Sequence, residues 1–163
     1  MSREAAFIAG LRQLASHPAA RNLEDDCAVL DLGNETLILT HDMLLEGTHY
    51  LPGADMSDVA WKLLATNLSD LAAKGATPFG VLTGYALGDS DEWDAAFVAG
   101  LGRALDHFGV ALLGVAVSSS ALTLGRARGS VVLGQPLSLA TTSVCAAARI
   151  PTTATCCMIS VSV

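Results

Sequence analysis

The 163-residue sequence contains no acidic residue after Asp106, no Cys-x-x-Cys pair, no Walker loop ending in Gly-Lys-Ser/Thr, and no long apolar run. Each absence excludes something. A membrane-spanning helix needs about 20 consecutive apolar residues, and Gly and Ser interrupt every apolar stretch before that, so no membrane partner is expected. Cys27, Cys145, Cys156 and Cys157 lack the paired spacing of a structural zinc site, which leaves free thiols in a reducing compartment as the expectation. Glu4 places an acid early, and no long apolar segment leads to a cleavage site. A cytoplasmic protein is therefore expected. Basic residues are also scarce: 9 Lys and Arg stand against 16 Asp and Glu, for a net charge of −7. Such a chain does not bind a nucleic-acid backbone by charge alone. It binds phosphate only with cations as intermediaries.

What is present is a foldable chain. With 52% apolar and 15% charged residues, it is not of disordered composition. Its length fits one domain, or one domain with a tail. Arg3 to Ser16 reads as a helix with Phe7, Ile8, Leu11 and Leu14 on one side, closed by His17-Pro18. Two strands, Cys27 to Leu32 and Glu35 to Thr40, are joined by a Gly33-Asn34 turn into a hairpin. Met43 to Tyr50 reads as a further strand after a kink. Asp55 to Asp58 offers capping groups for a helix from about Val59 to Lys74, stopped by Gly75. A strand over Pro78 to Leu87, a helix over Glu92 to Phe108 and a short strand over Val110 to Leu113 complete the pattern. This order predicts an α+β domain: a mixed four-stranded sheet with helices on one face.

Three groups of acids stand out within that frame. Glu24-Asp25-Asp26 precedes the first strand, and Asp42 follows Thr40-His41 late in the second. The tight turn brings positions near 26 and 42 to the same open end of the hairpin. Asp70 lies in the middle of a strongly apolar helix, on the same stripe as Asn67 and Lys74. A buried carboxylate must be paired, hydrogen-bonded or placed on a metal. Hard oxygen ligands from three elements suit Mg²⁺.

The segments Glu24 to Leu30, Thr40 to Tyr50 and Trp61 to Ala76 resemble the N-terminal half of the thiamine-monophosphate kinase family. That family lies within the aminoimidazole ribonucleotide synthetase superfamily, and the resemblance runs from about residue 4 to Gly114. The stretch Asn67 to Ala76 resembles the superfamily broadly, while the acid pair before the strand and Asp42 to Tyr50 resemble the thiamine-phosphate branch. The resemblance implies transfer of the ATP γ-phosphate to thiamine monophosphate, giving thiamine diphosphate, with Mg²⁺ and ATP bound. It implies Asp26, Thr40, Asp42 and Asp70 as metal-site residues and His49 at the thiamine-phosphate site. It also implies a homodimer formed by pairing of sheets.

Departures from the family pattern accompany these matches. Glu24 stands where the family usually has glycine, and His41 where it usually has a hydroxyl residue. After Leu112-Leu113-Gly114 the family continues with a second glycine and Asp-Thr, whereas this chain reads Val115-Ala116-Val117-Ser118. A shifted reading frame or a truncation would remove motif and acids together. Residues 1–114 are therefore expected to form the ATP- and Mg²⁺-binding domain. Residues 115–163 are expected to be an aberrant, poorly ordered Ser/Thr/Ala-rich tail, with short strands at 130–133 and 137–139 and the family's C-terminal domain absent. On that expectation the chain is an incomplete, weakly active or inactive fragment. The alternatives are another ATP-dependent member of the superfamily, or a non-catalytic dimerising or metal-binding fragment.

Overall fold

The computed structural model describes residues 2–88, 90–118 and 141–151. The chain begins with α1 (Arg3–Arg12), whose first turn is capped by Ser2: its Oγ accepts from the Ala5 N–H at 3.1 Å. The helix ends short of the Ser16 expected from its apolar spacing. It buries no residue, and Phe7, Leu11 and Leu14 on its expected inner side are exposed. Its neighbour is the helical turn Pro18–Leu23, where Arg12 Nε donates to the Asn22 carbonyl at 3.0 Å. Apolar periodicity predicts which side a helix can bury, not whether a partner is there to cover it.

The sheet follows, with β1 (Cys27–Asp31) and β2 (Glu35–Leu45) forming the expected antiparallel hairpin. The separate strand expected from Met43 is instead the continuation of an eleven-residue β2. Helix α2 (Met56–Ala73) is capped by Asp55, whose carboxylate accepts from the Ser57 N–H at 2.8 Å. Strand β3 (Thr77–Ala86) leads to α3 (Asp91–Phe108), capped by the Ser90 hydroxyl and ended at Gly109 in the left-handed conformation with φ 65°. Strand β4 (Ala111–Ser118) then pairs parallel to β3 across this helical crossover.

The fifth strand is β5 (Thr141–Pro151), and the sheet order is β1-β2-β5-β3-β4. The α+β class with helices on a mixed sheet holds, but with five strands in place of four. The physical reason lies in β2 and β3. Each would present an unpaired backbone edge, and β5 inserts between them, antiparallel to both. A central strand needs its backbone N–H groups for pairing at both edges, and residues 141–150 contain no proline to remove one. Gly114, the last residue of the expected ATP- and Mg²⁺-binding domain, lies inside β4. The strands expected at 130–133 and 137–139 lie outside the described residues.

Helices α2 and α3 cover one sheet face. Met56, Val59, Leu63, Leu64 and Leu71 of α2 join Ile38, Leu44, Val81 and Ala146 of the sheet and Phe97, Leu101 and Ala104 of α3 in one core. The helices cross closely because Gly100 has no side chain: a Cβ there would run into the Ser57 backbone. The opposite face is open at β3 and β4, with Leu82 51% exposed and Phe79 and Leu113 also accessible. Among the described residues, no helix is long and apolar enough to cross a membrane.

Candidate metal and phosphate site

Pairing of Cys27 with Thr40 fixes the hairpin register, so Asp26 lies one step beyond β1, level with His41 and next to Asp42. Thr40 is buried on the helix-covered face, as alternation requires. Its hydroxyl donates to Asp70 Oδ2 at 3.0 Å and lies 3.3 Å from the Asp26 carbonyl oxygen. One side chain of β2 thus touches both the loop before β1 and the middle of α2.

Asp42 is tied to the same helix. Its backbone N–H donates to Asn67 Oδ1 at 3.0 Å, while Asn67 Nδ2 donates to the Leu63 carbonyl at 2.9 Å. Asn67 is fully buried, and these bonds answer both ends of its amide. The stripe Asn67, Asp70 and Lys74 therefore faces the hairpin, as its spacing predicts. The specific task of Asn67, holding β2 at Asp42, is not readable from spacing alone.

Burial pushes the Asp70 carboxyl above the usual carboxylate range. The charges of Asp42 and Asp26 push it the same way, against the hydrogen bond from Thr40 and the charge of Lys74. Asp26, Asp42 and Asp70 thus share one electrostatic neighbourhood. They do not converge into a ready-made cage: among the described residues, no three acidic, histidine or cysteine side chains close around a single point. The donor set is nevertheless one of hard oxygens. Mg²⁺ commonly keeps several waters and takes one or two protein carboxylates together with substrate phosphates. These residues fit an ion shared with a phosphate better than an ion enclosed by protein.

Asp25 behaves differently from its neighbours. Partial burial would raise its carboxyl, but the hydrogen bonds from Lys74 and the Cys27 N–H outweigh this and hold it below the usual range. The Lys74 ammonium donates to Asp25 Oδ2 at 2.8 Å, Arg21 lies 3.2 Å from the same oxygen, and the Cys27 N–H donates to Oδ1 at 2.9 Å. Sequence spacing places Lys74 on the stripe of Asn67 and Asp70 but names no partner for it. No local signal joins residues 49 positions apart.

An open groove of about 750 Å³ lies beside these residues, bounded by Ile8 and Arg12 of α1, by Glu24 and Asp26, and by Leu39 and His41 of β2. Thr40 also lines it, whereas Asp42, Asp70 and His49 do not. His49 sits apart in the turn after β2, exposed. Its Nδ1 accepts from the Leu45 N–H at 2.9 Å, and its carbonyl accepts from Lys62 at 2.6 Å. The structure thus gathers Asp26, Thr40, Asp42 and Asp70 and leaves His49 in a separate turn. Cys27, buried beneath the groove, has its thiol pushed up by burial and is suited to packing rather than reaction.

Residues 24–134 match the AIR synthase related protein N-terminal domain, a match that passes beyond Gly114. The thiamine-monophosphate kinase of Escherichia coli is 40% identical over 117 residues, covering 69% of this chain and 36% of that protein. The Salmonella typhimurium thiamine-monophosphate kinase is 42% identical over 92 residues, covering 55% and 28%. Among solved structures, AaThiL complexed with AMPPCP and TMP superposes with a TM-score of 0.66 at 25% identity, covering 87% of this chain and 41% of that one. The chain spans about a third of the length of these curated relatives.

Proposed function

The chain belongs to the AIR synthase related protein family through its N-terminal domain, and from that premise we propose that it carries the metal and nucleotide side of a thiamine-phosphate kinase. The reaction is transfer of the ATP γ-phosphate to thiamine monophosphate. The observation that supports this most is Asp70: a part-buried carboxyl on α2, hydrogen-bonded to Thr40 and raised by burial and by the charges of Asp42 and Asp26. A fold gains no stability from three acids placed in each other's field. A polyphosphate site in a protein of net charge −7 gains from them.

In this reading Asp26, Asp42 and Asp70, with the Thr40 oxygen, hold Mg²⁺, which when bound neutralises phosphate charge that phosphoryl transfer must otherwise overcome. Thr40 orients the Asp70 carboxylate. Asn67 keeps β2 seated on α2 so that Asp42 stays beside Asp70. His49 is assigned to the thiamine-phosphate end, away from the groove. Every candidate ligand lies within residues 1–114, to which the ATP- and Mg²⁺-binding role is assigned. The names of the relatives and the AMPPCP and TMP bound by AaThiL support this substrate pair.

The open face around Leu82 and Leu113 supports a homodimer in which two such sheets pair, and the composition supports a cytoplasmic location. The test of function is direct. The purified chain, given ATP, Mg²⁺ and thiamine monophosphate, is assayed for thiamine diphosphate. Formation of product that ceases on chelation supports the reading, and absence of both product and Mg²⁺-dependent nucleotide binding refutes it.

A further inference from the structure

We propose that Lys74 is a positioning residue for the metal site, acting on Asp26 through Asp25. The inference rests on the Mg²⁺ reading above. Lys74 caps the C-terminal end of α2, one turn after Asp70. Its ammonium lies 2.8 Å from Asp25 Oδ2, and both side chains are about three-quarters buried. The other oxygen of Asp25 accepts the Cys27 N–H, so Asp25 bonds across Asp26 and closes a turn around it. Arg21 approaches Oδ2 from the side of the loop that leads in.

Within that loop the Glu24 N–H donates to the Arg21 carbonyl at 3.4 Å. Arg21, Asn22 and Leu23 all adopt positive φ, at 48°, 59° and 51°. Such a conformation costs non-glycine residues energy and persists only when neighbours enforce it. Arg12 ties the Asn22 carbonyl on one side. On the other side, the Lys74–Asp25 pair anchors the loop to α2. Because Lys74 and Asp70 share one helix face, the ion pair fixes the offset between Asp26 in the loop and Asp70 in the helix. With both oxygens of Asp25 engaged by protein donors, its task is to present its neighbour.

The test uses the full chain with Lys74→Met, Lys74→Arg, Asp25→Asn and the double variant Asp25→Asn/Lys74→Met. Two quantities are measured: the Mg²⁺ midpoint by calorimetric titration, and hydrogen exchange of the Cys27 amide without metal. Lys74→Met is expected to raise the midpoint about tenfold, the scale of losing an outer-sphere partner, and to speed Cys27 exchange. Lys74→Arg should restore both. In the Asp25→Asn background, Lys74→Met should change neither. An unchanged or lower midpoint in Lys74→Met, or full additivity in the double variant, overturns the inference while leaving the metal site standing. A wild-type chain that ignores Mg²⁺ overturns the site itself and the positioning role with it, whatever the amide exchange shows.

Discussion

Thr40 on β2 donates its hydroxyl to Asp70 on α2 at 3.0 Å, across thirty positions of sequence. The bond fastens the hairpin to the helix at the point where the acids meet, and it gives a part-buried carboxylate a donor. Thr40→Val keeps the shape and removes that donor. It is expected to cost about 1–3 kcal/mol, the penalty for leaving such a group unpaired, read as a lower urea midpoint with unchanged slope. Thr40→Ser, which keeps the hydroxyl, should lose less.

Asp70 also sets a pH dependence. Its carboxyl is raised in the fold, mainly by burial and then by Asp42 and Asp26. A group raised on folding stabilises fully below its unfolded value of about 3.9, and that contribution is lost as pH rises through the folded value. At neutral pH the ionised group therefore works against folding. Without metal, Asp70→Asn should melt higher than wild type at pH 7, and the gap should close on acidification. Added Mg²⁺ should stabilise wild type and leave the variant nearly unmoved. Thermal melts across pH, with and without Mg²⁺, decide this.

Asn67 answers a different need. Its fully buried amide takes the Asp42 N–H and donates to the Leu63 carbonyl. Asn67→Leu leaves the part-buried Asp42 N–H without its Asn67 partner, at about 1–3 kcal/mol. It should also weaken the Mg²⁺ response, because β2 is no longer seated. Chemical denaturation and Mg²⁺ titration of the same variant separate the two effects.

Much of this architecture is legible in the sequence because its causes are local. Gly33-Asn34 sets the hairpin, the Asp55 and Ser90 side chains start the helices, and Gly109 stops one. The 3.6-residue stripe turns Asn67 and Asp70 toward the hairpin. What escapes reading is non-local. Nothing within Thr141–Pro151 states that it fits between β2 and β3. Its lack of acids reads as a defect until both neighbouring edges are known. The Lys74–Asp25 pair and the uncovered side of α1 escape for the same reason: each depends on what lies opposite, not on what lies beside it in the chain. His49 carries a role from family resemblance, and its own contacts stay within its turn and with Lys62.

The open sheet face makes a prediction about assembly. Leu82 and Leu113 present apolar side chains, each about half exposed, on the face away from α2 and α3. If two chains pair through this face, sedimentation should show a dimer, and Leu82→Asp should shift it to monomer without changing helix content. A wild-type monomer would remove this part of the proposal.

Binding of an ATP analogue with and without Mg²⁺ tests the central claim most directly. By calorimetry, AMPPCP should bind the wild-type chain when Mg²⁺ is present and not in excess chelator. Asp70→Asn should weaken that binding by about tenfold or more while remaining folded. Equal binding in chelator, or undiminished binding by Asp70→Asn, would contradict the assignment of Asp26, Asp42 and Asp70 as the metal-bearing side of a phosphate site.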